Sequence, residues 1–431
     1  MKMEVSNLVT DTLSAKMSLI PLRGTDERAR EGGDLDFLVP PGEAIRACGI
    51  VAREAEKNGW SLILFRDIDY LCQIVLVRPA LGRDDEAIKI DFFDGLRWYG
   101  VGNDIAGTRL FQLVSSRSGL DDRLVGAASF FQKIMTVGRV SERDWSRVAA
   151  TGADAAYLAS IGKACLLPIT EKQINNRGVV GLDKWRLRAA SGGVTGSLTF
   201  LPWLVLVTIG HLKFKLVVGT KAGIVIGVSG LDGSGKSTLV DRLLSVYDKS
   251  GSAKPDLVHL LPAWIPMPHQ LTRRKKTAGN YTKPYSEPPV SSKLSGSVRL
   301  FYYIIAFAIA KISLYVSKKR GRQKVLDRSF FDFASDPTRS RIPVGELPRW
   351  LVKLLAPPGS LFLLDASPEV VVMRKGELTI DKARSLQSSY HDTSRKVGAK
   401  LLNGNGSPDE VFIELLRAIS AEYMGRIEIA R

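Results

Sequence analysis

Cysteine and histidine are sparse in this chain and poorly spaced for chemistry. Cys48, Cys72 and Cys165 are an odd, scattered set in 431 residues. That argues against a disulfide framework and makes a reducing compartment the expectation. The four histidines, His211, His259, His269 and His391, form no H-x-x-x-H pair, so no structural zinc site is expected. There is no internal repeat. The opening Met1-Lys2-Met3-Glu4-Val5-Ser6-Asn7 lacks a basic stretch followed by an apolar one. No export signal is therefore expected, and the expected location is the cytoplasm. Long apolar runs are missing too. Residues 198–210 are broken by Pro202, and residues 300–310 are bracketed by Arg299 and Lys311. Neither reaches the roughly 18 uninterrupted residues of a membrane span. Burial in a core is the expectation for both, with interfacial docking as the alternative and no integral span.

Acidic residues are nearly absent from one segment. Residues 264–324 hold thirteen Lys or Arg and a single acid, Glu287, a local excess of +12 in a chain of net charge +17. A solvated basic loop would look like this, as would a surface for phosphorylated ligands, an anionic membrane or nucleic acid.

What is present is most specific at Gly230-Leu231-Asp232-Gly233-Ser234-Gly235-Lys236-Ser237, which fits G-x-x-x-x-G-K-[ST]. Ile224-Val225-Ile226-Gly227-Val228 before it reads as a buried strand. Residues 237–247 after it read as a helix with Leu239, Val240, Leu243 and Leu244 on one side. A strand feeding a glycine loop that opens a helix aims the loop's amides at a polyphosphate. Gly230, Asp232, Gly233, Ser234, Gly235, Lys236, Ser237 and Thr238 are thus candidates for binding ATP. Lys236 would bridge the β- and γ-phosphates, and the Ser237 hydroxyl would ligate Mg²⁺.

Three regions separate along the chain. In residues 1–102, short apolar runs at 36–39, 61–65, 73–77 and 88–92 surround one helical stretch at 41–58, an α+β pattern. Helical periodicity dominates the linker region 103–220. From 221 to 431 strands alternate with helices, and the strand candidates are 224–228, 257–261, 324–326, 360–364 and 400–402. That alternation predicts an α/β unit with a parallel sheet. Ser367-Pro368-Glu369 and Ser407-Pro408-Asp409-Glu410 read as helix starts.

Further cations should converge on the γ-phosphate. Asp327 and Arg328 follow a predicted strand directly, and Arg374 and Lys375 lie a few residues into the helix after Ser367, where a lid would bring them over the nucleotide. GLDGSGKST (230–238), LDRSFFDF (326–333) and LFLLDASPEVVVMRKGEL (361–378) together resemble thymidylate kinase-type kinases. That resemblance covers about 221–425. It implies ATP-dependent transfer to a small acceptor, with Asp232 facing the acceptor's sugar, Arg328 on its phosphate, Asp327 supporting the metal and Arg374 clamping the phosphoryl group. Ser329 departs from the family's usual aromatic or histidine there. The run Asp327, Arg328, Asp332, Asp336, Pro337 and Arg339 is closer to thymidylate kinase-like bacterial proteins.

At the other end, Leu22-Arg23-Gly24-Thr25 precedes Asp34-Leu35-Asp36 by about ten residues. Strand alternation puts Asp34 and Asp36 on one face, and Asp91 on a later predicted strand is a third acid. Converging carboxylates repel unless a cation sits among them, which points to Mg²⁺. Gly24, the D-x-D and Asp91 resemble polymerase β-type nucleotidyltransferases over about 18–102, and this implies a second phosphorus chemistry on the same chain. The alternative is an ATP-regulated switch whose segment 264–324 docks on membrane or nucleic acid. Acceptor and base preference stay open, as does assembly as a homodimer.

Overall fold

The computed structural model describes residues 2–22, 34–98, 104–116, 120–194, 197–213, 223–266, 293–336, 347–376 and 378–430. Arg23, Gly24, Thr25, Pro337 and Arg339 lie outside the described residues, as do residues 267–292 of the basic segment 264–324.

The chain begins with a helix the sequence reading did not anticipate, α1 (Lys2–Ser14), and continues through β1 (Ile20–Pro21), β2 (Leu35–Val39), α2 (Ala44–Lys57), β3 (Ser61–Asp67), β4 (Leu71–Arg78) and β5 (Glu86–Asp94). These strands form one mixed sheet in the order β1-β2-β5-β4-β3. β2 and β5 run parallel, with Asp36 opposite Asp91. The β2 pattern resolves as alternation demands. Leu35, Phe37 and Val39 face one core, while Leu38 faces another with Ile20 and Leu22.

That second core belongs to the helical region: α3 (Ile105–Ser116), α4 (Asp122–Thr136), α5 (Glu142–Ala150), α6 (Ala155–Ala164), α7 (Glu171–Asn175) and α8 (Gly181–Ser191). Its helix starts are capped conventionally. Asp121, Ser141 and Asp154 each accept from the amide three residues on. The expected linker is therefore a roof over the face of the sheet that carries Asp36.

After α9 (Ser197–Lys213) come β6 (Val225–Gly230), α10 (Lys236–Lys249), β7 (Asp256–His259), α11 (Lys293–Lys319), β8 (Lys324–Asp327), α12 (Phe330–Ser335), α13 (Arg349–Leu355), β9 (Ser360–Asp365), α14 (Pro368–Lys375), α15 (Ile380–Val397), β10 (Lys400–Asn403) and α16 (Pro408–Ala430). All five strands here are parallel, in the order β10-β9-β6-β8-β7. The glycine-loop strand β6 is central, with β8 on one side and β9 on the other. Sheet growth changes sides at this strand, and the crevice beyond such a switch point is where α/β sheets bind ligands.

The two sheets share one hydrophobic core. α10 and α16 lie between them, so Val246 and Tyr247 of α10 and Leu415, Leu416 and Ile419 of α16 pack with Leu62, Ile74 and Val77. Tyr247 Oη donates to the Ile63 carbonyl at 2.7 Å, and Ser420 Oγ accepts from the Leu62 amide at 3.1 Å. Arg242 of α10 forks onto Asp85 at 2.9 and 2.7 Å, and it also reaches Asp409 and the Ala80 carbonyl. The boundary expected at 220 is thus a boundary in sequence pattern, not in packing.

Core burial of both apolar stretches was expected and is found in part: Tyr303, Ala306, Phe307 and Ala310 of α11 and Val207 of α9 are buried. Leu201, Leu206 and Ile209 of α9 are exposed, and so are Phe301 and Ile312 of α11. By length and composition α11 is long and apolar enough to cross a membrane, and only 28% of its most apolar window is buried. Arg299 and Lys311 bracket the apolar run in sequence without ending the helix, which extends six residues or more beyond each.

Candidate active site

The loop between β6 and α10 has a shape only glycine allows at its key positions. Gly230, Gly233 and Gly235 have φ of 151°, 94° and 102°. A Cβ on Gly230 would stand 2.6 Å from the Leu364 carbonyl oxygen of the neighbouring strand. The loop therefore folds tightly over the carboxyl ends of β6 and β9 and opens α10, whose first-turn amides and dipole favour an anion.

A cavity of about 510 Å³ opens there, lined by residues 232–239, Arg242, Arg328, Leu364, Arg374, Lys375, Gly404, Gly406, Pro408 and Val411. Ser237 and Thr238 are exposed in it, while Asp232, Ser234 and Lys236 are buried. Lys236 Nζ donates to the Gly230 and Leu231 carbonyls, both at 2.6 Å, and lies 3.7 Å from Asp232. Burial pushes the ammonium down to about 8, with Arg328 adding to the shift and Asp232 opposing it.

Arg328 pairs with Asp232 from across the loop. Its burial is outweighed by Asp232 and Asp332, which hold its pKa above the ordinary arginine value. Its backbone has φ of 71°, in the left-handed region, an arrangement that costs a side-chain-bearing residue about 1–3 kcal/mol and concentrates at functional sites. Asp332 supports it from below, taking Ser229 Oγ at 2.7 Å, the Ser329 amide at 3.0 Å and Tyr390 Oη at 3.1 Å. Arg374, in the last turn of α14, donates to the Ser234 and Gly404 carbonyls at 3.4 and 3.5 Å. It already touches the loop, so no lid has to deliver it.

Asp327 is placed differently. Its carboxylate pairs with His259 at 3.3 Å on the β7 side, an interaction that holds it below the usual carboxylate range. It does not line the cavity. Sequence reasoning missed the loop after β10, where Gly404, Gly406 and Pro408 form the far wall of the cavity. The capping box there does form: Ser407 Oγ accepts from Glu410 N, and Glu410 Oε2 accepts from Ser407 N at 2.7 Å.

The second cluster lies on the first sheet. Asp34 and Asp91 flank one cation, a side chain, and Asp36 lies opposite Asp91 on the paired strand. Lys89 pairs with Asp34 and stands 3.7 Å from Asp91. Gln73 Nε2 donates to Asp91 Oδ1 at 2.8 Å. Burial raises Asp91 to about 6; Lys89 opposes the shift, and Asp36 and Asp34 add to it. Asp36 opens on a cavity of about 360 Å³ whose helical wall carries Ser129, Gln132, Lys133 and Arg147. None of these four was singled out from sequence, because they come from helices that become neighbours of the strand only on folding.

Among the described residues, no three His, Cys, Asp or Glu gather as metal ligands would. At the glycine loop, the exposed Ser237 hydroxyl fits Mg²⁺ arriving with phosphate oxygens and water, since that ion needs few protein ligands. At the carboxylates a metal would first have to displace Lys89, so the arrangement does not fit one. No protein-family model matches the chain, and no curated protein is significantly similar to it.

Proposed function

We propose that this protein is an ATP-dependent phosphotransferase of the thymidylate kinase type, passing the γ-phosphate to a small acceptor such as a nucleotide or sugar derivative. One observation carries this reading. A single cavity at the switch point of a parallel sheet receives a glycine loop, a helix N-terminus and the basic side chains of Lys236, Arg328, Arg374 and Lys375. Phosphoryl transfer asks a protein for little beyond charge compensation and alignment.

In this reading Lys236 leaves the loop carbonyls for the β- and γ-oxygens and regains its full charge there. Arg374 holds the phosphate chain against the loop. Arg328, preset by Asp232 and Asp332, receives the acceptor or the phosphoryl group in flight. The walls at Gly404, Gly406 and Pro408 take the nucleoside. The Ser237 hydroxyl would hold Mg²⁺, which would supply charge neutralisation to the triphosphate. Asp327, paired with His259 outside the cavity, is assigned no step.

The first sheet fits the nucleotidyltransferase resemblance in its parallel Asp36–Asp91 pairing, yet Lys89 occupies the centre of its carboxylates. We assign it no step. The protein is incubated with ATP, Mg²⁺ and a panel of nucleoside monophosphates and sugars. One acceptor should be phosphorylated, and Lys236→Ala should reduce the rate about 100- to 1,000-fold. ATP turnover indifferent to every acceptor would favour the switch, and no ATP binding at all would end both readings.

A further inference from the structure

The surface of α11 divides cleanly. Val298, Phe301, Ile305, Ile309, Ile312 and Val316 are all exposed, at spacings of three or four residues. At 3.6 residues per turn they fall within an arc of about 80°. On the other side, Tyr303, Ala306, Phe307 and Ala310 pack with Phe330, Phe333, Val352 and Leu355, while Leu314 meets Val225 and Leu326. The neighbouring α13 adds an exposed Trp350 and Leu354, and Lys311 Nζ ties the helices by donating to the Leu354 carbonyl at 2.7 Å.

The charge around this stripe has one sign. Residues 293–324 contain eight Lys or Arg and no Asp or Glu. Lys319, Arg320 and Arg322 at the helix end are exposed, as are Arg349 and Lys353 on α13.

We propose that α11 and α13 form a docking surface for an anionic lipid bilayer, with α11 lying in the interface plane. An aliphatic stripe with basic flanks is the chemistry of interfacial helices. A second copy fits less well, because apposed stripes would bring two basic surfaces together. Nucleic acid fits less well because five of the six stripe residues are valine or isoleucine, which leaves Phe301 and Trp350 as isolated faces rather than a run on which successive bases stack. Spanning would pull Tyr303, Phe307 and Leu314 out of the core that β8 and α12 need.

The proposal is independent of catalysis, so its test uses no nucleotide. The full chain is sedimented with vesicles of phosphatidylcholine alone or with phosphatidylglycerol. Binding to the anionic vesicles, weakened by salt, is expected. Phe301→Ser, Ile305→Ser and Ile312→Ser together should weaken it about tenfold or more without changing circular dichroism or thermal stability, since all three side chains are exposed. The proposal is overturned if neither vesicle binds or if the triple variant binds like the parent. It also fails if DNA displaces the protein from vesicles, or if lipid-free protein is a dimer that the triple variant dissolves. Resistance of membrane-bound protein to alkaline carbonate would replace docking with insertion.

Discussion

Asp91→Asn should make the protein more stable at neutral pH. Asp91 sits on β5 among Asp34, Asp36 and Lys89, and its burial raises the folded-state pKa from 3.8 to about 6. A raised carboxyl means that the native state binds its proton more tightly than the unfolded chain does. The stability it contributes is fully present below about pH 4 and is lost as pH climbs through about 6. Two units at about 1.4 kcal/mol each give a penalty of about 3 kcal/mol at pH 7. The attraction of Lys89 is already contained in that shift. Asparagine keeps the acceptor for Gln73 Nε2 and removes the charge. With about 2.1 cal/mol/K of unfolding entropy per residue, the variant's melting temperature at pH 7 should rise by about 3 °C. Scanning calorimetry across pH 4–8 should show parent and variant converging at the acid end and separating through pH 5–6. A variant less stable at pH 7, or a difference that ignores pH, would show that Asp91 is not a desolvated carboxylate. Repeating the scan with Mg²⁺ tests the cluster directly: if the ion displaces Lys89, it stabilises the parent and the gap narrows.

Two further outcomes follow from the other half. Burial pushes the Lys236 ammonium down to about 8, and the proposed grip on ATP requires its charge. ATP affinity measured by titration calorimetry should therefore be flat below pH 8 and fall about tenfold per pH unit above it; a flat profile to pH 9.5 would mean the lysine does not meet the phosphates. Arg242→Met leaves the buried Asp85 without its forked partner, and should lower unfolding free energy by about 3–5 kcal/mol in urea titrations. Loss of one half's transition with the other unchanged would contradict the shared core.

Much of the frame was legible because it rests on local pattern. The five parallel strands came from short apolar runs, and β6 could be placed because the glycine loop needs a strand before it. The Asp34–Asp36 face followed from alternation, and Asp91 fell opposite Asp36. What was not legible depends on who packs against whom. Lys89 reads as an ordinary strand lysine until Asp34 and Asp91 are seen on either side of it. Ser129, Gln132, Lys133 and Arg147 become cavity residues only when α4 and α5 fold over β2. Composition suggested burying α11, whereas only one of its two apolar faces is covered by the described residues.

The packing of α10 bears most directly on how the halves relate. Its first turn closes the glycine loop, its middle carries Arg242 onto Asp85 just before β5, and its last turns place Tyr247 against β3. β5 carries Lys89 and Asp91. A helix fixed at both ends to different sheets transmits rigid-body shifts rather than absorbing them, because close-packed side chains do not deform continuously. In the proposed reading, a shift of the loop around a triphosphate would reach Asp85 through Arg242 and so the start of β5, the strand that carries Lys89 and Asp91. The shared core makes the N-terminal sheet part of the glycine loop's support.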